Sequence, residues 1–287
     1  MKKNRHQGRD KRDGGKRDPK GRGAKPQKHH KGKPQKQCDL FGIHAVTEAV
    51  LNPKRHIHDI IVTQQGWKIL EPVVQRAIKD GLKRPEPRMV DKHVLEDMLP
   101  DYAVHQGIGV CAQNLHATSL EKFCDSLEKN GNIRDNILVM LDQVTDPHNV
   151  GAILRSASVF GAKAMIVQER NAPDITGTLA KVACGAVEHI PVIREVNLSR
   201  SLELLKQHDI LCVGLDERGE MTLADVTADK NLSSYSGIAL VMGAEGDGLR
   251  RLTAENCDIL ARLPATGLIK SLNVSNAAAV SLYEMVR

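Results

Sequence analysis

A chain of 287 residues with 41% hydrophobic and 26% charged side chains has the length and composition of a globular protein with two ordinary domains. No apolar run approaches the roughly 18 residues of a membrane span, and the N-terminus lacks the apolar core of a signal peptide, so a cytoplasmic protein is expected. The net charge of +6 hides a division: residues 1–38 hold ten Lys and five Arg against three Asp, a net +12, whereas residues 39–287 hold 26 basic and 32 acidic side chains, a net −6.

The first 38 residues are rich in Gly, Pro, Gln and His and almost free of large apolar side chains, so they cannot form a core and are expected to be disordered. A tail of this charge suits a polyanion, since each Lys or Arg that meets a phosphate releases counterions. A small α/β module follows over 39–116. FGIHAVTEAVL has helical spacing and HDIIVTQ is a short buried strand. EPVVQRAIKDGL is a helix closed by Gly81, RPEPRMVD is extended, HVLEDML is a helix and GIGVCAQ is a strand. Residues 117–136 are polar and read as a helix and linker.

From 137 onward NILVMLDQV, KAMIVQE, HIPVIRE, ILCVGLD, GIALVMG and DILARLP read as strands separated by helical patterns. That rhythm predicts an α/β fold with a mainly parallel sheet covered on both faces. Ligands of such sheets bind at the carboxyl ends of the strands, which directs attention to the loops after Leu141, Met242 and Leu263. Neither G-x-x-x-x-G-K-[ST] nor a helix-opening G-x-G-x-x-G is present, which argues against a P-loop enzyme or a dinucleotide-binding dehydrogenase. The six cysteines, at 38, 111, 124, 184, 212 and 257, stand singly, so neither a zinc site nor a disulfide framework is expected.

Each of the three loops has a plain structural reading. In DPHNVGAILRSA, Asn149 is a helix N-cap and Arg155 a surface arginine beside the apolar stripe Val150, Ile153, Leu154 and Ala157. In LVMGAEGDGLRRL, three glycines in six residues permit close approach to the backbone, and Glu245 adds favourable charge near a helix N-terminus. In LPATGLIKSLNVSNAAAV, Pro264 holds Leu263 extended, Asn273 is a turn residue, Ser275 caps a helix starting near Asn276, and the alanines at 277–279 allow tight packing.

Taken together, NVGAILR at 149–155, MGAEGDGL at 242–249 and SLNVS at 271–275 resemble, in order and spacing, the SpoU/TrmH family of RNA ribose 2′-O-methyltransferases in the SPOUT superfamily. GIHAVTEAVL and AKVACGAVEHIPVIR look like the subgroup that methylates guanosine in bacterial 23S rRNA, the RlmB type, whose N-terminal module is related to a ribosomal-protein fold. The resemblance implies a deep trefoil knot in the C-terminal part, a homodimer, and S-adenosylmethionine as cofactor with no metal. It further implies that Gly243, Leu263 and Leu272 hold the cofactor, that Arg155 activates the ribose hydroxyl, and that Asn149, Glu245, Asn273 and Ser275 complete the site. Because a guanidinium stays protonated, Arg155 has an alternative role in orienting the hydroxyl or pairing with a phosphate. Gln143, the bulky Val159-Phe160 and Asn276 depart from the common family pattern without touching these positions.

Three rival functions remain at this level: a tRNA ribose methyltransferase, a noncatalytic RNA-binding or ribosome-assembly protein, and a small-molecule methyltransferase, in which the tail and the extra module would have no role. Removing residues 1–38 is expected to weaken RNA binding and flatten its salt dependence, read as the slope of log affinity against log salt concentration. An unchanged slope would refute the role assigned to the tail.

Overall fold

The computed structural model describes residues 38, 40–101, 103–116, 118–128, 132–175, 177–269 and 271–287. The basic tail read at 1–38 therefore lies, apart from Cys38, outside the described residues.

The N-terminal part comprises β1 (Leu40–Phe41), α1 (Ile43–Leu51), β2 (Ile57–Val62), α2 (Gln64–Lys79), β3 (Arg88–Met89), α3 (Lys92–Met98) and β4 (Ile108–Ala112). Its sheet has the order β1-β4-β2-β3, antiparallel except for the β2–β3 pair. Both faces are covered, which is why β2 carries the unbroken apolar run Ile60-Ile61-Val62. Ile60 and Val62 join the core under α1 and α2, whereas Ile61 packs with Phe41, Leu95 and Leu99 on the other face.

The helix expected from Glu71 begins earlier, at Gln64, where the Thr63 side chain accepts a hydrogen bond from the amide of Gly66. Pro72 lies inside α2 instead of at its start. It removes one helical hydrogen bond, on the exposed side where the carbonyl of Lys68 is open to water, while Gly66, Leu70, Val74 and Ala77 keep an unbroken buried stripe.

After α4 (Leu120–Asp125) come β5 (Ile137–Leu141), α5 (Pro147–Val159), β6 (Ala164–Gln168), α6 (Gly177–Val182), β7 (Val192–Glu195), α7 (Leu198–Gln207), β8 (Ile210–Leu215), β9 (Met221–Thr222), α8 (Leu223–Thr227), β10 (Gly237–Met242), α9 (Arg251–Asn256), β11 (Ile259–Arg262) and α10 (Val274–Val286). The seven strands are ordered β7-β6-β5-β10-β8-β11-β9 and every pairing is parallel. Along β5, Ile137, Val139 and Leu141 face one core and Leu138 and Met140 the other. α5, α6, α8 and α10 cover the first face; α4, α7 and α9 cover the second.

The chain runs outward from β5 through β6 to β7, then crosses back to build the other half beyond β10. A crevice at the carboxyl ends of β5 and β10 is the consequence of that reversal. Thiols in the second core are inert packing groups: burial pushes Cys124 up to about 11 and Cys257 up to about 12, and raises Cys212 further.

Candidate functional site

A cleft of about 850 Å³ opens at this crevice. Its walls are the loops that follow β8, β10 and β11, together with the start of α10. Gly243, Glu245, Leu263, Leu272 and Asn273, five of the eight positions singled out in the sequence, line it.

The loop after β10 folds back on itself. The amide of Ala244 donates to the carbonyl of Gly248 (3.1 Å) and the amide of Gly248 donates to the carbonyl of Ala244 (3.0 Å). Gly243 sits so close to Gly248 that a side chain there would run into the backbone. Gly246 and Gly248 have φ of 88° and 68°, a conformation that favours glycine, and open space lies where their side chains would be. The tip therefore presents bare backbone to the cleft.

Asn273 is the centre of the arrangement. Its Nδ2 donates to Asn149 Oδ1 (3.1 Å) and to Glu245 Oε2 (3.3 Å). Its Oδ1 accepts from the Ser275 amide (2.9 Å) and from Ser275 Oγ (2.6 Å). Four of the five residues expected to do chemistry thus meet at one side chain.

Two cap assignments are corrected here. Asp146, not Asn149, caps α5, accepting from the His148 amide (3.0 Å) with Pro147 in the first turn behind it. Asn273, not Ser275, caps α10, which starts at Val274 and not near Asn276. Asn149 and Ser275 are thereby free to serve Asn273. The alanine run does pack tightly: Ala278 is fully buried, Ala277 lines the cleft, and α10 lies against α5.

Arg155 stands apart from this group. Six residues on from Asn149, it is separated from it by about 120° around the axis of α5. It is exposed, and its side chain has no hydrogen bond or ion pair among the described residues.

The loops are pinned at their stems. Fully buried Asp142, just after β5, accepts from the Arg250 amide (3.1 Å) and Nε (2.7 Å), joining the loops after β5 and β10. Arg262 Nη1 bonds the carbonyls of Gly219 and Glu220, joining β11 to the loop after β8. Gln143 beside Asp142 holds a φ of 61°, a strained value for a side chain of its size.

The loop after β8 was not singled out in the sequence, because its single glycine, Gly219, belongs to no motif. It nevertheless supplies Leu215, Asp216, Glu217 and Arg218 to the wall. Arg218 donates to both carboxylate oxygens of Asp216 (2.8 and 2.7 Å), and chiefly through this bond holds the Asp216 carboxyl below the usual range. With Glu245 and Asp247, the cleft wall carries four carboxylates against one guanidinium. Leu272 and Ile269 are exposed at its mouth (54% and 82%), giving apolar surface beside the polar groups.

A family model described as the SpoU rRNA methylase family matches residues 136–283, and one described as RNA 2′-O ribose methyltransferase substrate binding matches residues 40–114. The 23S rRNA (guanosine-2′-O-)-methyltransferase RlmB of Haemophilus influenzae is 39% identical over 254 residues, covering 86% of this chain and 96% of that protein. Its namesake in Vibrio cholerae is 37% identical over 251 residues, with the same shares. Among solved structures, the SpoU methyltransferase AviRb from Streptomyces viridochromogenes in complex with the cofactor AdoMet superposes with a TM-score of 0.66 at 23% identity, covering 86% of this chain and 88% of that one. An AdoMet-bound rRNA methyltransferase from Sinorhizobium meliloti gives 0.68 at 22%, covering 86% of each chain. At these identities the two structures establish likeness of fold.

Because the folded-state value of Asp216 is depressed, its contribution to stability is in place above the ordinary carboxylate value of about 4 and is lost as the pH falls through the lowered one. Asp216→Asn is therefore expected to lower the urea midpoint at neutral pH, with the gap to wild type closing in acid. A gap of equal size at both pH values contradicts this reading.

Proposed function

Because the chain belongs to the SpoU rRNA methylase family, we propose that it transfers a methyl group from S-adenosylmethionine to a ribose 2′-hydroxyl, on a guanosine of 23S rRNA, in the cytoplasm. The observation that carries the proposal is the Asn273 node, which binds Asn149, Glu245 and Ser275 together beside a cleft backed by a bare glycine loop.

The cleft suits the cofactor. Its volume lies within the 300–1,000 Å³ of ordinary small-molecule sites. Apolar Leu263 and Leu272 and the backbone around Gly243 offer a slot for a flat ring, and the excess of carboxylates suits a ligand bearing sulfonium and ammonium charge. When bound, S-adenosylmethionine supplies an electrophilic methyl group that the ribose oxygen takes in a single displacement.

The chain's own task is therefore alignment, which supplies much of the acceleration in such reactions. The Asn273 amide fixes α5, the loop after β10 and the start of α10 relative to one another, so the slot and the nucleophile's position are set before substrate arrives. Glu245, the carboxylate joined to that node, is the group available to accept the hydroxyl proton. Arg155, exposed and unpaired among the described residues, orients the hydroxyl or pairs with a flanking phosphate, since a guanidinium is a poor base.

Residues 39–116 act as the substrate-binding module, 117–136 as linker and 137–287 as the methyltransferase domain, with the tail at 1–38 an arm for RNA. Leu263 follows β11, and Asn273 contacts both α5 and the loop after β10 at the start of α10, an arrangement that supports the trefoil knot of this superfamily. Exposed Val159, Val280 and Tyr283 on α5 and α10, with Tyr283 packed edge-on against Phe160 at 6.2 Å, support a homodimer through these helices.

Incubation with labelled S-adenosylmethionine and unmodified 23S rRNA, followed by mapping of ribose methylation, tests the proposal. A single 2′-O-methyl guanosine is expected, with Arg155→Ala reducing the rate by about 10²-fold through lost alignment. Transfer to bulk tRNA in its place would move the activity to tRNA, and transfer to neither would leave an RNA-binding protein without turnover.

A further inference from the structure

Two stretches resembling the rRNA-modifying subgroup, GIHAVTEAVL at 42–51 and AKVACGAVEHIPVIR at 180–194, contribute nothing to the methyl-transfer cleft. In the fold they meet. α1 packs on α6 and on the 3-10 turn Ala186–Glu188, and Val46, Ala49 and Val50 share one continuous core with Ala183, Ala186 and Val187.

The local backbone is built for this contact. Cys184 and Gly185 both hold positive φ, 50° and 88°, so the chain turns sharply after α6. A side chain at Gly185 would collide with the Glu48 side chain and approach the carbonyl of His44, so α1 sits directly on the turn. The turn delivers Glu188 beneath the α1–β2 connection.

There its carboxylate is fully buried opposite Arg55, whose side chain is 5% exposed. Arg55 Nη2 donates to Oε1 (2.6 Å) and Nε to Oε2 (3.0 Å), a two-pronged pairing. Asn52 Nδ2 adds bonds to Oε2 (2.8 Å) and to the Glu188 carbonyl (3.2 Å), and Arg55 Nη1 donates to the carbonyl of Gln113 (2.8 Å). At the rim, His189 Nε2 lies 2.8 Å from Glu48 Oε2.

A buried ion pair adds little stability over apolar packing, yet removing one partner strands a charge, so its effect is to admit one geometry and penalise others. The planar fork of arginine fixes orientation as well as distance.

We infer that Arg55–Glu188 is a positioning contact that locks the 40–114 module in one orientation on the methyltransferase body, so that the span from the module's RNA-binding surface to the cleft selects the target nucleotide. This rests on the function proposed above. A ruler of this kind lets one nucleotide of a large RNA be chosen without base-specific contacts at the cleft.

The test compares full-length wild type and Glu188→Gln by hydrogen–deuterium exchange and by steady-state kinetics on rRNA. Exchange at residues 43–55 and 184–190 is expected to accelerate together, by roughly a hundredfold or more, with β5 and β10 unchanged. KM for rRNA is expected to rise about tenfold with kcat and cofactor affinity held, and methylation to spread to neighbouring nucleotides. The charge-swapped pair Arg55→Glu with Glu188→Arg should recover part of both. Should Glu188→Gln fail to fold, Arg55→Lys, which keeps the charge but loses the fork, gives the same readouts.

Unaltered exchange, or a fall in kcat with KM unchanged, overturns the inference. If no RNA is methylated even by wild type, the functional proposal fails, while the exchange pattern still decides whether the pair is a lock.

Discussion

The side-chain amide of Asn273 uses both its ends: the oxygen closes the first turn of α10 through Ser275, and the nitrogen reaches Asn149 on α5 and Glu245 beyond β10. Only a primary amide combines two acceptor lone pairs with two donors on a short stem. An aspartate would lose the bonds to Asn149 and Glu245, and an alanine would lose the cap as well. Three segments far apart in sequence therefore hold their mutual positions through one residue, and the cleft exists because they do.

Rigid support surrounds this flexible chemistry. The all-parallel sheet sets the strand ends, and buried Asp142 and the Arg262 contacts anchor the loop stems. Above the stems, Gly246, Gly248 and the exposed Leu272 leave room and apolar surface for a ligand. A second buried network, around Glu188, ties the N-terminal sheet to the same body.

Much of this was legible in the sequence, for identifiable reasons. β5, β8 and β10 are buried on both faces, so each appears as an unbroken apolar run that cannot be missed. The loops after Leu141, Met242 and Leu263 were located because parallel sheets bind ligands at strand ends, and two of them carry glycines or a proline. The cap assignment at Asn149 failed because capping rules are local, whereas its partner Asn273 lies 124 residues away; that at Ser275 failed because two candidate caps stand two positions apart, and α10 starts at Val274 behind Asn273. α2 was begun too late because Pro72 resembles a first-turn proline, and only the fold shows that it faces solvent. The Asp216–Arg218 wall and the Arg55–Glu188 pair left no trace in spacing, since the first has no motif and the second joins residues 133 positions apart.

The most direct measurement of the central claim, that Asn273 assembles a single cofactor site, is calorimetric titration of S-adenosylmethionine into the full chain and into Asn273→Ala, with unfolding followed in parallel. One cofactor should bind per wild-type chain. The variant should remain folded, losing about 0.5–2 kcal/mol with its helix cap, and should bind at least roughly tenfold more weakly, about 1.4 kcal/mol. Equal affinity in the two proteins, or no binding to wild type, would contradict the account.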